Sequence, residues 1–166
     1  QTKPGEVFSV RNVANLVPPY SPDEGLHGVS AAIEFGVMDL KIKDIIILGH
    51  AHCGGIKRLC NNFNSDMDKS LNKKAPREFI DSWMNIASSV ITKIDAKDPL
   101  ESLQHFIEKE SIKNSIKNLK TFPWVSELVR NKELNIHGWW FELKSGELFY
   151  FDENKNDFLN IDNEKK

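Results

Sequence analysis

The sequence predicts an α/β fold: a mostly parallel β-sheet flanked by helices, with a C-terminal β-hairpin at one edge. Asp44–Leu48 is an apolar run without alternation, which is typical of a parallel strand covered on both faces. Segments with helical spacing of apolar residues lie before and after this strand. Near the C-terminus, Ile136–Leu143 and Glu147–Phe151 flank the turn-forming sequence Lys144-Ser145-Gly146, and this pattern indicates the hairpin.

Two strands and two helices are predicted in the first part of the chain. Val7–Val10 is apolar and β-branched and follows a Pro-Gly turn, so we expect a short strand there. A proline-rich loop leads to a helix over about Ser30–Leu40, where apolar residues recur at helical spacing. The strand Asp44–Leu48 follows, and Gly49–Gly55 is predicted to be a tight loop. After a short helix, Asn61–Ala75 is polar and is predicted to be irregular.

Three further helices are predicted before the hairpin. Apolar residues recur at helical spacing over Phe79–Ile94. An Asp-Pro pair suits the start of a second helix, which should run from residue 98 to about residue 118. A proline opens a third helix over about Pro123–Val129. We predict one domain over residues 1–153 and a polar, frayed tail over 154–166.

Composition and charge exclude several classes of function. The 166 residues are 40% hydrophobic and 28% charged, as in an ordinary globular domain. A formal net charge of −2 offers no basic surface for nucleic acid or for an anionic membrane. No apolar run is long enough to span a bilayer. Two cysteines cannot build a disulfide framework, and with no signal-peptide pattern they favour a reducing compartment, the cytoplasm.

The stretch Gly49-His50-Ala51-His52-Cys53-Gly54-Gly55 carries the clearest chemical signal. It follows the strongest predicted strand, at the carboxyl end where open α/β sheets place their sites. His50 and Cys53 are three residues apart in a turn, so an imidazole and a thiolate could bind one ion. That pair of donors is typical of zinc.

Other interpretations of these residues stay open. A His and a Cys near a strand end can be packing residues, and zinc normally takes at least three protein ligands. His52 is a competing ligand, although His50 is better spaced from Cys53. Cys53 and Cys60 could form a redox pair, but they lack the Cys-x-x-Cys spacing.

Several segments together resemble the β-class carbonic anhydrases. Gly49–Ile56 resembles the second metal motif of that family, Gly-His-x-x-Cys-Gly-Gly. Four other segments resemble family landmarks and follow one another in the family's order: Val10–Tyr20, His27–Phe35, Ser115–Val125 and His137–Phe141. The resemblance extends from Lys3 to Phe151.

This resemblance implies a zinc ion held by one His and two Cys, of which His50 and Cys53 match two. The family's other Cys lies in a Cys-x-Asp-x-Arg motif, which the sequence does not contain. We expect this motif, its catalytic Asp-Arg pair and the first core strand of the family to lie just upstream of Gln1. We therefore interpret the sequence as a fragment of a longer enzyme.

The resemblance also implies an activity, the reversible hydration of carbon dioxide to bicarbonate and a proton by zinc-bound hydroxide. Phe8, Val13, Phe35 and Gly54 match positions that line the family's small apolar cavity. A homodimer is expected because the family builds this cavity between subunits, with a tetramer as the alternative assembly. The alternative function is a non-catalytic zinc-binding or interaction module derived from the family.

Overall fold

The computed structural model describes residues 2–67, 77–91 and 100–162. The strands in these ranges are β1 (Asp44–His50), β2 (Asn135–Phe141), β3 (Leu148–Asp152) and β4 (Asp157–Asn160). The α-helices are α1 (Gly28–Glu34), α2 (Gly54–Met67), α3 (Ile80–Met84), α4 (Ser88–Ile91), α5 (Leu100–Leu119) and α6 (Pro123–Arg130). Short 3-10 turns at Val13–Asn15 and Asn85–Ala87 and a π-helical turn at Phe35–Asp39 link them. None of the described helices combines the length and the apolar character needed to cross a membrane.

The described strands form one sheet in the order β1-β2-β3-β4. β1 and β2 pair in parallel, with Ile47 opposite Gly138. The pairs β2–β3 and β3–β4 are antiparallel. His50 is the last residue of β1 and therefore lies at the carboxyl end of the parallel pair β1–β2.

Helix α5 covers one face of this sheet. A Cβ atom added to Gly49 would lie 2.7 Å from the Cδ1 atom of Ile112, and one added to Gly138 would lie 2.8 Å from its Cγ2 atom. Only glycine allows the strands to approach the helix this closely. Side chains alternate between the faces of a strand, and Ile46 and Leu48 lie on the opposite face, where they are exposed.

The core consists of two buried clusters that meet beside α5. One cluster joins α2, α3 and α4 to the first half of α5, including Ile107. The other joins the covered face of the sheet to the second half of α5, including Ile112, and to α6. Cys53 belongs to the first cluster and Ala51 to the second. The loop between β1 and α2 therefore lies where the two clusters meet.

The α/β class, the parallel pairing in the core and the C-terminal hairpin are confirmed. The strand predicted over Asp44–Leu48 is β1 and is two residues longer. The helix predicted over residues 30–40 corresponds to α1 with its π-helical turn, and that over 123–129 corresponds to α6. The helix predicted over 98–118 is α5, whose residues 98 and 99 lie outside the described ranges. The helix predicted over 79–94 is divided by a 3-10 turn, and residues 92–94 lie outside those ranges.

The prediction of a strand at Val7–Val10 is wrong. These residues pair with none of the four described strands, and the side chains of Val7, Phe8 and Val10 are exposed. A β-branched composition favours a strand only where a neighbouring strand supplies ladder hydrogen bonds and a surface for packing. Local sequence could not reveal that no described strand lies beside this segment.

The prediction of an irregular segment from Asn61 is also wrong in its first part, because α2 continues to Met67. Phe63 packs against the first cluster, one helical turn beyond Leu59 and Cys60. This continuing apolar face stabilises further turns of helix despite the polar composition. Residues 68–75 of the same predicted segment lie outside the described ranges.

The predicted frayed tail contains a strand. β4 pairs with β3, and Phe158 is buried with its ring centroid 5.4 Å from that of Phe151. One large apolar side chain in a polar stretch is enough to hold this segment on the sheet. β4, rather than the hairpin, is therefore the edge strand on this side, and it belongs to the same sheet as the domain predicted to end at residue 153.

Candidate functional site

The residues Gly49–Cys53 comprise the last two residues of β1 and the three residues that lead to α2. They are called the metal-binding loop below, after the function that the sequence predicts for them. Ala51 is buried, and its N–H group donates to the carbonyl of Phe141 on β2 at 2.9 Å. His52 has a positive φ of 57°, a left-handed conformation that turns the chain sharply. The loop is thus tied to the sheet in the middle and bends just before Cys53.

The imidazole of His50 is oriented by its own loop. Its Nδ1 atom lies 2.8 Å from the carbonyl oxygen of Ala51. A carbonyl oxygen only accepts hydrogen bonds, so Nδ1 carries the proton and donates it. The neutral ring then has its lone pair on Nε2, which is the arrangement commonly found in metal-binding histidines.

Cys53 is buried and immediately precedes α2. Its carbonyl accepts the hydrogen bond of Lys57 N–H at 2.9 Å, which closes the first turn of the helix. The sulfur atom therefore belongs to a residue at the positive end of the helix dipole, where negative charge is favoured.

Behind Cys53 lies a buried polar cluster formed by Gln104, Glu108 and Trp140. Glu108 is only 2% exposed, and its Oε1 atom accepts the N–H of Cys53 at 2.8 Å. The Nε2 group of Gln104 donates to the same Oε1 at 2.9 Å and to the Cys53 carbonyl at 3.2 Å. The indole N–H of Trp140 points to Oε2 at 3.4 Å. Both backbone polar groups of Cys53 are therefore bound by side chains of α5.

The imidazole of His50 and the sulfur of Cys53 are the types of donor that zinc binds, but two donors are only part of its coordination shell. Imidazole nitrogen and thiolate sulfur are typical zinc ligands, and structural or catalytic sites use three or four protein donors. Among the residues that the structure describes, no group of three or more His, Cys, Asp and Glu side chains could hold a metal ion. His50 and Cys53 would thus provide two of the donors.

Of the four residues predicted to line an apolar pocket, Phe8 and Phe35 contact each other, whereas Val13 and Gly54 lie beside Gly55. The rings of Phe8 and Phe35 lie 5.9 Å apart. Val13 lies against Gly55, where an added Cβ would be 2.8 Å from its Cγ1 atom, and Gly54 borders open space. Phe8, Val13 and Phe35 are each about half exposed. Their role as a pocket remains a prediction.

His52, which belongs to this loop, makes an edge-to-face ring contact with His105 of α5. The ring centroid of His105 lies 5.1 Å from that of His52 and 5.5 Å from that of Trp140. The Nε2 atom of His105 is buried without a hydrogen-bond partner in the described structure. These ring contacts pack the exposed side of the bend against α5.

Sequence reasoning missed Gln104 and Glu108. A signal for them exists, because α5 has a buried stripe whose apolar members recur every three to five residues: Leu103, Ile107, Ile112, Ile116 and Leu119. Gln104 and Glu108 lie on the same stripe, four residues apart. An acidic residue in a buried stripe needs hydrogen-bond donors opposite it, but the sequence does not say which ones.

A separate groove with a volume of about 580 Å³ lies between α4, α5 and the β3–β4 turn. None of the predicted site residues lines it. Two of its three lysines form ion pairs, Lys113 with Glu110 at 2.7 Å and Lys120 with Glu153 at 2.7 Å. The chemistry suggested by the sequence is therefore concentrated at the metal-binding loop and not in this groove.

Comparison with known proteins points to one family. Residues 1–148 match the sequence profile described as carbonic anhydrase. The chain is 35% identical over 145 residues to β-carbonic anhydrase 5, chloroplastic, of Arabidopsis thaliana, a match that covers 84% of this chain and 44% of the relative. It is 31% identical over 163 residues to a carbonic anhydrase of Synechocystis, covering 96% of this chain and 56% of the relative. The chain thus spans about half the length of these curated relatives.

The chain is also similar in fold to solved structures of β-carbonic anhydrases. The β-carbonic anhydrase CcaA superposes with a TM-score of 0.74 at 26% identity, over 95% of this chain and 73% of that one. A structure from a study of two tetrameric β-carbonic anhydrases of Sordaria macrospora gives a TM-score of 0.68 at 26% identity, over 89% of this chain and 69% of that one. Sequence and fold therefore agree over almost the whole chain.

Proposed function

This chain belongs to the β-class carbonic anhydrase family, and we propose from this that it takes part in the zinc-dependent, reversible hydration of carbon dioxide to bicarbonate and a proton. The main support for the proposal is the arrangement of His50 and Cys53 in the metal-binding loop. His50 has Nε2 available because Nδ1 is bound to Ala51, and Cys53 lies buried at the start of α2. The loop has the sequence that supplies two zinc ligands in this family.

Zinc is the proposed cofactor, with His50 Nε2 and Cys53 Sγ as two of its donors. The chemistry that zinc supplies when bound is the acidification of water, which makes a nucleophile available near neutral pH. The residues of this chain orient the donors: Ala51 sets the imidazole, while Gln104 and Glu108 hold the backbone of Cys53. The family's Cys-x-Asp-x-Arg motif does not occur in the sequence.

The substrate is proposed to meet an apolar wall formed by Phe8, Val13, Phe35 and Gly54. Carbon dioxide has no hydrogen-bond donor and no net charge, so an apolar surface next to the loop suits it better than polar groups. Gly54 directly follows Cys53, and Val13 lies against Gly55. Two of the four positions are therefore next to the proposed metal ligand.

The proposed assembly is a homodimer, with a tetramer as the alternative, and the proposed location is the cytoplasm. Half-exposed apolar side chains such as Phe8 and Phe35 are suited to burial against a second subunit. The Sordaria macrospora relatives are described as tetrameric. Both cysteines are free thiols, which fits a reducing compartment.

A pair of cysteine variants tests the zinc site and the activity together. We expect the full-length protein to retain zinc and to accelerate carbon dioxide hydration in a stopped-flow assay with a pH indicator. Cys53→Ser should lose bound zinc and reduce hydration to the uncatalysed rate, because a thiolate donor is removed. The matched control Cys60→Ala changes the other buried cysteine and should leave zinc content unchanged.

Two results would overturn this proposal. An unmodified protein that retains zinc without hydrating carbon dioxide would be a non-catalytic zinc module. Equal zinc loss in Cys53→Ser and Cys60→Ala would contradict the assignment of the ligands.

A further inference from the structure

We propose that Glu108 is a positioning residue for the metal-binding loop, which it fixes by accepting the backbone N–H of Cys53. The inference rests on the proposed zinc site, since it assigns a role to a residue that touches a ligand and not the ion. Glu108 lies 55 positions after Cys53 in the sequence and comes from the middle of α5. Its carboxylate is the only described side chain that accepts this N–H group.

The hydrogen-bond pattern around Glu108 requires a group that only accepts. Three groups face its two oxygens, and all three are donors: the N–H of Cys53, the amide of Gln104 and the indole N–H of Trp140. An ionised carboxylate provides acceptors on both oxygens. Hydrogen bonds to a charged acceptor are also stronger than those between neutral groups.

The carboxylate and Gln104 together fix the conformation of Cys53. Glu108 binds its N–H, and Gln104 binds its carbonyl oxygen. Because both polar groups of this backbone unit are held by one helix, rotation of the peptide planes on either side of Cys53 is restricted. The direction of its Cα–Cβ bond, and so the position of the sulfur relative to His50, is set by α5.

A purely structural role would not explain a carboxylate at this position. Burying a charge is costly, and well-packed apolar residues are often as stable as buried ionic groups. The neighbouring positions on the same stripe of α5, Ile107 and Ile112, are apolar and fully buried. Among the described residues, no ion pair joins a cation to Glu108, and the ammonium of its neighbour Lys109 lies 4.4 Å from the centre of the Trp140 ring. The carboxylate is thus balanced mainly by donors that orient the loop.

The variant Glu108→Gln tests this role because it keeps size and shape. A glutamine that accepts from Cys53 through its oxygen must place its own N–H₂ group towards the indole N–H of Trp140, so two donors oppose each other. We expect zinc binding to weaken about 10- to 100-fold, the range found when groups that orient metal ligands are removed. The dissociation constant would be measured by competition with a chromophoric chelator, on protein shown to be folded by circular dichroism.

The matched control is Glu110→Gln, the same change two residues later on α5. The Glu110 side chain is also largely buried, with 12% exposed, but it pairs with Lys113 away from the loop. The zinc affinity of Glu110→Gln should stay within about twofold of that of the unmodified protein, because this change does not touch the proposed ligands. Cobalt substitution adds a spectroscopic signature, because a displaced thiolate weakens the sulfur-to-cobalt charge-transfer band in Glu108→Gln but not in Glu110→Gln.

Two further measurements separate a positioning role from general destabilisation. In metal-free protein, the amide proton of Cys53 should exchange slowly and lose this protection in Glu108→Gln, while amides elsewhere in α5 remain protected. In the background of Trp140→Phe, which removes the opposing donor, Glu108→Gln should weaken zinc binding less than it does in the unmodified protein.

The outcomes distinguish this inference from the proposed function. If Glu108→Gln binds zinc as tightly as the unmodified protein, the positioning role is wrong while the zinc site stands. If the two variants weaken binding equally, the effect is general and the role is likewise wrong. An unmodified protein that binds no zinc would overturn both proposals.

Discussion

Among single residues, the two cysteines differ in environment although their side chains are chemically identical. Cys60 is fully buried in α2, and burial is the main cause that raises the pKa of its thiol to about 12. A neutral thiol is a poor metal ligand and a poor nucleophile at physiological pH. Cys53 instead lies at the start of the same helix, with its N–H bound to Glu108. Both cysteines belong to the same buried cluster, and it is their positions at and within α2 that distinguish them.

Another residue pair makes stability depend on pH. The Arg58 guanidinium donates to Asp81 at 2.6 Å and 2.9 Å, and the N–H of Arg77 donates to it at 2.8 Å. The hydrogen bonds from Arg58, followed by that from Arg77, lower the pKa of Asp81 from 3.8 to about 2. Because the pKa is lower in the folded state, the stabilisation is complete above the unfolded value and is lost as the pH falls through about 2.

We expect Asp81→Asn to lower the free energy of unfolding near neutral pH. The difference from the unmodified protein should shrink below pH 3.8 and disappear only at pH values below about 2, where Asp81 is protonated in both states. Urea denaturation at a series of pH values measures this difference in the free energy of unfolding. A difference that is the same at the lowest pH as at neutral pH would show that the ion pair is not the source.

Among elements, the contact between β2 and α5 depends on the absence of a side chain at Gly138. An added Cβ would lie 2.8 Å from both Ile112 Cγ2 and Ile116 Cδ1 and 3.3 Å from the Cβ of Phe151. Ile112 is fully buried and Ile116 nearly so, so neither can move away freely. The same helix carries Glu108, so the spacing of β2 and α5 also sets how the carboxylate meets the loop.

Gly138→Ala should therefore destabilise the fold by about 1–3 kcal/mol, the usual cost of overpacking a core. Chemical denaturation measures the change. Gly28→Ala is the matched control, since nothing lies within 4 Å of a Cβ at that position and it begins α1. Equal stability of the two variants would mean that α5 can shift away from the sheet without cost.

In the whole molecule, the two faces of the sheet differ. α5 covers the face that carries Ile47 and Gly138, whereas Ile46 and Leu48 on the other face remain exposed. His50 lies on this exposed face, because side chains alternate along β1. The proposed metal ligand is thus next to the apolar surface that a second subunit would cover.

Self-association through this surface can be tested with two leucines of equal exposure. Leu48 and Leu143 are each 53% exposed, but Leu143 lies in the turn between β2 and β3. We expect the unmodified protein and Leu143→Glu to sediment as dimers or tetramers and Leu48→Glu to shift towards the monomer, because a charge cannot be buried there without a partner. Sedimentation velocity measures the distribution. A monomeric unmodified protein, or equal behaviour of the two variants, would contradict the proposed assembly.

Prediction from sequence succeeded where a feature is local. β1 follows from an unbroken apolar run, α6 from a proline at its first turn, and the hairpin from a turn between two apolar segments. The prediction was wrong at Val7–Val10, where a β-branched composition favours a strand but no described strand pairs with the segment. It was also wrong in the tail, where a polar composition indicates fraying but β4 pairs with β3.

The sequence alone determined the α/β class, the family and the loop that carries His50 and Cys53. Each of these can be recognised from short segments of consecutive residues. Only the tertiary structure decided that Glu108 and Gln104 bind Cys53, that β4 joins the sheet with Phe158 packed on Phe151, and that Ile46 and Leu48 of β1 stay exposed. These contacts join residues far apart in the chain. Their energies depend on which groups folding brings together, and no local pattern contains that information.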